Sequence, residues 1–212
     1  KQLFHVTNSG RNYEDDYVVS GLGAMPEKAQ GTAVTYDDPV GGSTRRYTHT
    51  TYALGFRVTQ EMKQADLENV ANRMARKLAK SGRNRINTDT WYPFNNGFST
   101  SLTTYDVLSL YNTAHTLLRG GTQANRPSTE VDFGITPLQS GIETYMNSVD
   151  EDHQYVLIKP KMVIGNTANL WAMREILGSE LRPDTANNAI NALMEEDLSY
   201  HTSPFITDTD AW

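Results

Sequence analysis

Residues 47–57 alternate as a strand does, yet they hold too few large aliphatic side chains to bury one. Tyr47, His49 and Thr51 fall on one face, Thr48, Thr50 and Tyr52 on the other, and Leu54, Phe56 and Val58 continue the pattern. Thr and Tyr suit a pleated, half-buried surface. A strand of this kind gains little by folding on itself, so it predicts an exposed arm that lies on a neighbour. The residues before it agree. A short strand at 17–19 follows the acidic cluster Glu14, Asp15 and Asp16; Gly21, Gly23 and Pro26 then punctuate a loop. Residues 34–36 read as extended, and Asp37, Asp38, Pro39, Gly41 and Gly42 are strong turn signals.

A change of period follows the arm. Leu67, Val70, Ala71, Met74, Ala75 and Leu78 recur at the spacing of one helical face. Thr59 serves as the N-cap, with Met62 three positions on, which makes half a capping box. Gly82 reads as the stop, which predicts a helix over about 59–82.

Beyond it the pattern is mixed. Residues 86–98 are aromatic and rich in Asn and Gly, which predicts a loop. Thr103 or Thr104 is read as capping a helix over 105–117, and Gly120, Gly121 and Pro127 as the loop after it. Thr136 caps a third helix to about Ser148, with Pro137 in its first turn. Residues 155–158 (YVLI) form a strand-sized apolar run, predicted to be buried and broken by Lys159 and Pro160. Asn166 or Thr167 starts a fourth helix through Leu170, Trp171, Ile176 and Leu177, stopped by Gly178. Pro183, Asp184, Asn187 and Asn188 make a polar connection, and Phe205 with Ile206 begins a final strand.

The bulk composition sets bounds. The 212 residues are 38 % hydrophobic and 21 % charged, a folded composition with no apolar run near the ~20 residues of a membrane helix. No cysteine is present, which excludes disulfides, thiolate metal sites and a cysteine nucleophile. No Asn-x-Ser/Thr sequon and no apolar leader region occurs. A net charge of −6 argues against a nucleic-acid grip by the whole chain and leaves room for a local basic face. The chain opens at Lys1 and closes at Trp212 after Thr-Asp-Thr-Asp, where the aromatic residue reads as the start of a strand. Further segments are expected beyond both ends.

Three sets of residues carry candidate chemistry. Arg73, Arg76, Lys77, Lys80, Arg83 and Arg85 fall within 13 positions with no acid among them. Such a patch suits DNA phosphates, which ask only for positive charge. It equally suits a solvated helix face, a neighbour's acids, or cations complementing the helix dipole at its C-terminal end. Glu14, Asp15, Asp16, Asp37 and Asp38 oppose Arg45 and Arg46 within the arm. They read either as intersubunit ion pairs that fix register or as ordinary surface pairs. Asp208 and Asp210 share a strand face, but hard cations ask for six or more oxygens, so turn or cap use is the better reading. His5, His49, His115, His153 and His201 show no ligand spacing, and no P-loop, nucleophile elbow or dinucleotide fingerprint is present. No catalytic residue, metal or cofactor is expected.

The order of a β-rich arm, a long amphipathic helix and then mixed α/β resembles the HK97-like fold of tailed-bacteriophage major capsid proteins, an α+β class. Residues 47–62 (YTHTTYALGFRVTQEM) look like the return strand of that family's extended loop running into its spine helix. Residues 155–164 (YVLIKPKMVI), with REILGS at 174–179, look like its strand–proline–helix passage. RPDTANNAIN at 182–191 and TDTDAW at 207–212 look like the stretch toward its closing strand, which is absent after Trp212. The resemblance implies an N-terminal arm remnant at 1–13, an extended β-loop at 14–57, a peripheral domain at 58–136 with the spine helix, and an axial domain at 137–212. It implies a non-enzymatic shell protein that joins copies of itself into pentamers and hexamers around double-stranded DNA, in a virion assembled in the host cytoplasm. Portal, scaffolding and decoration proteins are implied partners, and no membrane is. Two alternatives stay open: an encapsulin-like cargo compartment, and a soluble hydrolase or metal enzyme.

Overall fold

The computed structural model describes residues 3–65, 69–182 and 189–212. Leu67 of the expected helix face, and Pro183, Asp184, Asn187 and Asn188 of the expected connection, lie outside them. The chain forms two compact units, one joining Lys1–Asp16 to Arg46–Tyr92 and the other joining Tyr17–Arg45 to Pro93–Trp212.

Strands β1 (Tyr13–Val19) and β2 (Gly41–Thr48) pair in a ribbon whose ends belong to different units. The strand expected at 17–19 thus begins at Tyr13, and residues 34–36 form none. The strand expected over 47–57 ends at Thr48. The His49 N–H donates to Asn12 O at 3.0 Å, and the chain before Asn12 then bends through Ser9, whose hydroxyl donates to Glu14 and accepts from the Arg11 N–H. With that bend the partner strand runs out, so residues 49–58 hold no regular structure.

In the first unit Thr59 caps α1 (Gln60–Gln64), its hydroxyl accepting from the Met62 N–H at 3.2 Å. Helix α2 (Val70–Asn95) then runs 26 residues, about 39 Å at ~1.5 Å per residue. The helix expected over 59–82 is therefore broken after Ala65, and Gly82 does not end it. The loop expected at 86–98 is helical to Asn95. Thr88 and Thr90 donate back to the carbonyls of Asn84 and Ile86, and Arg85 pairs with Asp89 one turn on. Trp91, 6 % exposed, meets Phe4 edge-on at 5.5 Å and anchors this extension. Of the predicted helix face, Val70, Ala71 and Leu78 are half-buried and Met74 is exposed.

The second unit holds the core. Leu138 and Ile142 of α3 (Ile135–Met146), Val163 of β5 (Met162–Asn166), Met173 and Ile176 of α4 (Leu170–Gly178), and Leu193 pack together. Strand β5 pairs in parallel with β6 (Ser199–Ser203), and Gly165 admits the Met173 side chain against the backbone of β5. Asn191, 2 % exposed, donates to the carbonyls of Ile176 and Ser179 and accepts from the Leu193 N–H, tying down the end of α4. Trp212 packs edge-on against Phe133 at 5.6 Å and donates to Val131 O.

Four expectations change here. Helix α3 starts at Ile135 on an uncapped Gly134, not on Thr136. Residues 105–117 form turns and the small hairpin β3 (His115–Thr116) and β4 (Thr122–Gln123) instead of a helix. Thr104 and Asp106 bond the local backbone in competition with helix, and Asp106 draws in His115 Nδ1 at 2.7 Å. The run 155–158 is exposed, and the strand lies after the proline, at β5. Phe205 and Ile206 follow β6 instead of starting it. The cap expected at Asn166 is present: its side chain accepts from the Ala168 N–H at 2.8 Å and opens the turn into α4.

Candidate functional site

Two surfaces stand out, one in each unit. The first is the basic face of α2. At ~100° per residue, Arg73, Arg76, Lys77, Lys80 and Arg83 fall within about 120° of the helix circumference, and Arg85 lies outside that stripe. Arg76, Lys80 and Arg83 border one open concavity with Ala79 and Asn84. Arg85 is engaged within its own unit: it pairs with Asp89 at 2.8 Å, donates to Tyr52 Oη at 2.6 Å and stacks 4.1 Å over the Tyr52 ring. The longer helix corrects the dipole reading. The stripe lies in the middle turns of α2, away from the C-terminal turn where the dipole favours cations, and its i,i+4 neighbours 73–77 and 76–80 repel. Nothing in helix energetics favours this arrangement.

The second surface is the root of the loop between β1 and β2. Arg119 stands at the tip of the β3–β4 hairpin, where Gly120 and Gly121 supply the positive φ values of 90° and 77° that the turn requires. Its guanidinium donates to both Asp37 carboxylate oxygens at 3.0 and 2.9 Å, to Asp38 O at 3.0 Å, to Gly21 O at 3.4 Å and to Asp152. One planar fork thus ties both legs of the loop to the 150–154 turn. Gln154 adds a bond to Leu22 O at 2.7 Å. The Gly23 N–H and then Arg119 hold the Asp37 carboxyl below the usual carboxylate range. Beside this hub, Glu151 accepts from the Leu118 N–H and the Tyr105 hydroxyl, and burial followed by that carboxylate raises the Tyr105 phenol well above its ordinary value. Burial raises Asp106, but bonds from Thr104, His115 and the Leu108 N–H outweigh it and leave the carboxyl low.

The loop charges find mostly local partners. Arg46 grips Asp15 with two bonds of 2.7 Å and lies 3.9 Å over the Tyr13 ring; its bond holds Asp15 below the usual range. Glu14 accepts from Ser9, and Asp37 goes to Arg119, which the sequence reading did not single out. Asp16 and Asp38 are exposed, and Arg45 keeps a buried Nε without a partner among the described residues. Asp208 accepts from the Asp210 N–H, an Asx turn. Asp37, Arg119 and Asp152 lie far apart in sequence, and only proximity in the fold joins them.

Residues 42–212 match the family model described as "Phage capsid protein". The chain belongs to the phage capsid protein family. This capsid protein also shares its fold with a chain from the capsid of bacteriophage JBD30, itself decorated with minor capsid protein trimers. That likeness has a TM-score of 0.73 at 9 % identity and covers 95 % of this chain and 88 % of the other. No curated protein matches. The capsid protein is therefore a structural component of the virion shell, and its mixed helix and strand architecture is one that a phage capsid uses.

Proposed function

We propose that this chain is a major capsid protein of HK97-like architecture, which joins into pentamers and hexamers and closes an icosahedral shell around double-stranded DNA. The observation that carries this reading is the loop between β1 and β2. It is almost wholly unburied, with Met25 98 % and Tyr36 91 % exposed and Leu22 and Val34 also open. Apolar groups in such numbers on an extended loop gain only when an adjacent subunit covers them. In this reading 14–57 is the overlapping loop, 58–136 the peripheral region and 137–212 the axial region. Asp16, Asp38 and Arg45 are the loop charges left to set register with a neighbour. The stripe of Arg73, Arg76, Lys77, Lys80 and Arg83 faces packaged DNA. Decoration proteins, as on the JBD30 capsid, and scaffolding and portal proteins are proposed partners.

Electron microscopy of the expressed chain tests the reading, with nucleic-acid content read from the absorbance ratio. Closed shells, DNA-filled when taken from infected cells, are expected. A chain that stays monomeric even with scaffolding protein supplied defeats it.

A further inference from the structure

Two apolar runs, one in each unit, are strand-like in sequence and have open backbone edges: among the described residues, 52–58 has no strand partner, and 155–158 has only the isolated antiparallel bridge of Tyr155 to Val149. In residues 52–58 the side chains of Tyr52, Leu54, Phe56 and Val58 alternate with Ala53, Gly55 and Arg57. The run is held extended along α2. Phe56 and Val58 border an apolar groove with Met62, Val70 and Met74, while Tyr52 is held by Arg85. Six residues at ~3.3 Å span about 20 Å, which matches the ~22 Å of the 15 helical steps from Val70 to Arg85. Among the described residues no backbone group from 50 to 58 has a backbone partner. Leu54 is 68 % exposed. The result is an irregular run lying along a helix, with its backbone groups open.

Residues 155–158 show the complementary condition. Tyr155 is 66 % exposed and Leu157 85 %, with Val156 and Ile158 also open. Past the Val156 N–H bond to Ser148 O, residues 157–160 make no backbone hydrogen bond among the described residues. Leu157 sits at φ 54°, a strained conformation for a branched apolar residue that it leaves when the run is drawn out as a strand.

We propose that these runs are the two halves of one contact between copies of this chain, in which 155–158 of one copy adds as an antiparallel strand to 52–58 of the next. Leu54 then stands across from Leu157. Charge chooses the direction. Antiparallel pairing turns Arg57 toward Asp150 and Glu151, whereas parallel pairing sets it against Lys159 and Lys161. Side-chain size chooses the register. With Leu54 opposite Leu157, Phe56 meets Tyr155 on the same face, while Gly55 and Ala53 leave room for Val156 and Ile158 on the other. Backbone bonds supply affinity and the alternating side chains specificity. Because the two runs differ, each copy uses one and offers the other, a heterologous contact that propagates around a ring. The pairing rests on the shell reading only in that copies associate.

A chain without cysteine makes the test direct. The Leu54→Cys, Leu157→Cys double variant, oxidised in assembled shells, is expected to give a ladder of disulfide-linked oligomers, while either single variant stays monomeric under denaturing conditions. A product that stops at the dimer overturns the ring-forming contact. Shells that form normally and give no cross-link overturn the pairing and leave the shell reading intact, whereas wild-type chain that forms no shell fails that reading itself. Hydrogen exchange on the wild-type chain covers the case in which the variant does not fold. Amides of 52–58 and 155–158 are expected to slow by about 100-fold or more on assembly. Unchanged exchange there, or protection that appears only when a different phage protein is added, overturns the copy-to-copy pairing.

Discussion

Arg119 illustrates how much one side chain can organise. Its donors reach Asp37, Asp38, Gly21 and Asp152, and the Asp152 side chain is only 2 % exposed. Replacing Arg119 by Ala leaves that carboxylate buried without its cation and frees both legs of the loop. A lower denaturation midpoint and faster amide exchange at residues 21–23 and 37–38 are expected. Arg119→Lys keeps the charge but loses the fork, so it rescues only part of the loss. The hub also has a pH signature. The folded-state value of Asp37 is depressed below the ordinary carboxylate value of about 3.9, first by the Gly23 N–H and then by Arg119. Its contribution is therefore complete above that value and disappears as pH falls through the lower folded one. Protection factors at the loop root, corrected for intrinsic exchange, should be flat from pH 5 to 8 and fall steeply below about 4, and Asp37→Asn should remove its share of that fall. Asp37 was legible as a loop charge, but its partner was not. A lone arginine in a Gly-rich turn has no periodicity to mark it, and Asp37 is 82 positions away. The cations of the α2 stripe were legible because helical spacing is local.

Helix α2 shows which elements a sequence reveals. The Thr59 cap was readable because its partner, the Met62 N–H, is three residues on. The stop was misplaced because Gly82 is a weak breaker when tertiary packing at Trp91 rewards continuation. Strand β6 went unread for the opposite reason: Ser199, Tyr200, His201, Thr202 and Ser203 carry no apolar alternation, and register with β5 alone makes them a strand. The run 155–158 carried the apolar signal but forms only one isolated bridge, Tyr155 to Val149, among the described residues. Gly82 offers a clean test of the continuous helix. Nothing lies within 4 Å of the position a Cβ would take. Gly82→Ala should therefore stabilise the unassembled chain by about 1 kcal/mol. That corresponds to a thermal midpoint about 2–4 °C higher. A glycine that really ended the helix would instead make the change neutral or harmful.

At the scale of the whole molecule, charge is distributed against the average. The chain carries a net −6, yet five cations share one face of α2 without an acid among them. A shell protein repeats this face in every copy, so under the proposed orientation toward DNA even weak attraction per copy adds up. The position of the stripe away from the C-terminal turn means that the helix dipole does not account for it. Its proposed role against DNA has a quantitative consequence. Each phosphate contact contributes about −0.9 to the slope of log affinity against log salt on duplex DNA. Changing Arg76, Lys80 and Arg83 together to Gln removes three cations, so the slope should become shallower by about 2.7 if all three meet phosphate. The loss should be the same for any duplex sequence, because phosphate contacts carry no sequence information. Arg85 supplies the internal control. Already engaged by Asp89 and Tyr52 and set off the stripe, it should leave the slope unchanged when replaced by Gln. Equal slopes for the wild type and the triple variant would remove DNA from its account and leave a solvated helix face or a neighbouring subunit's acids.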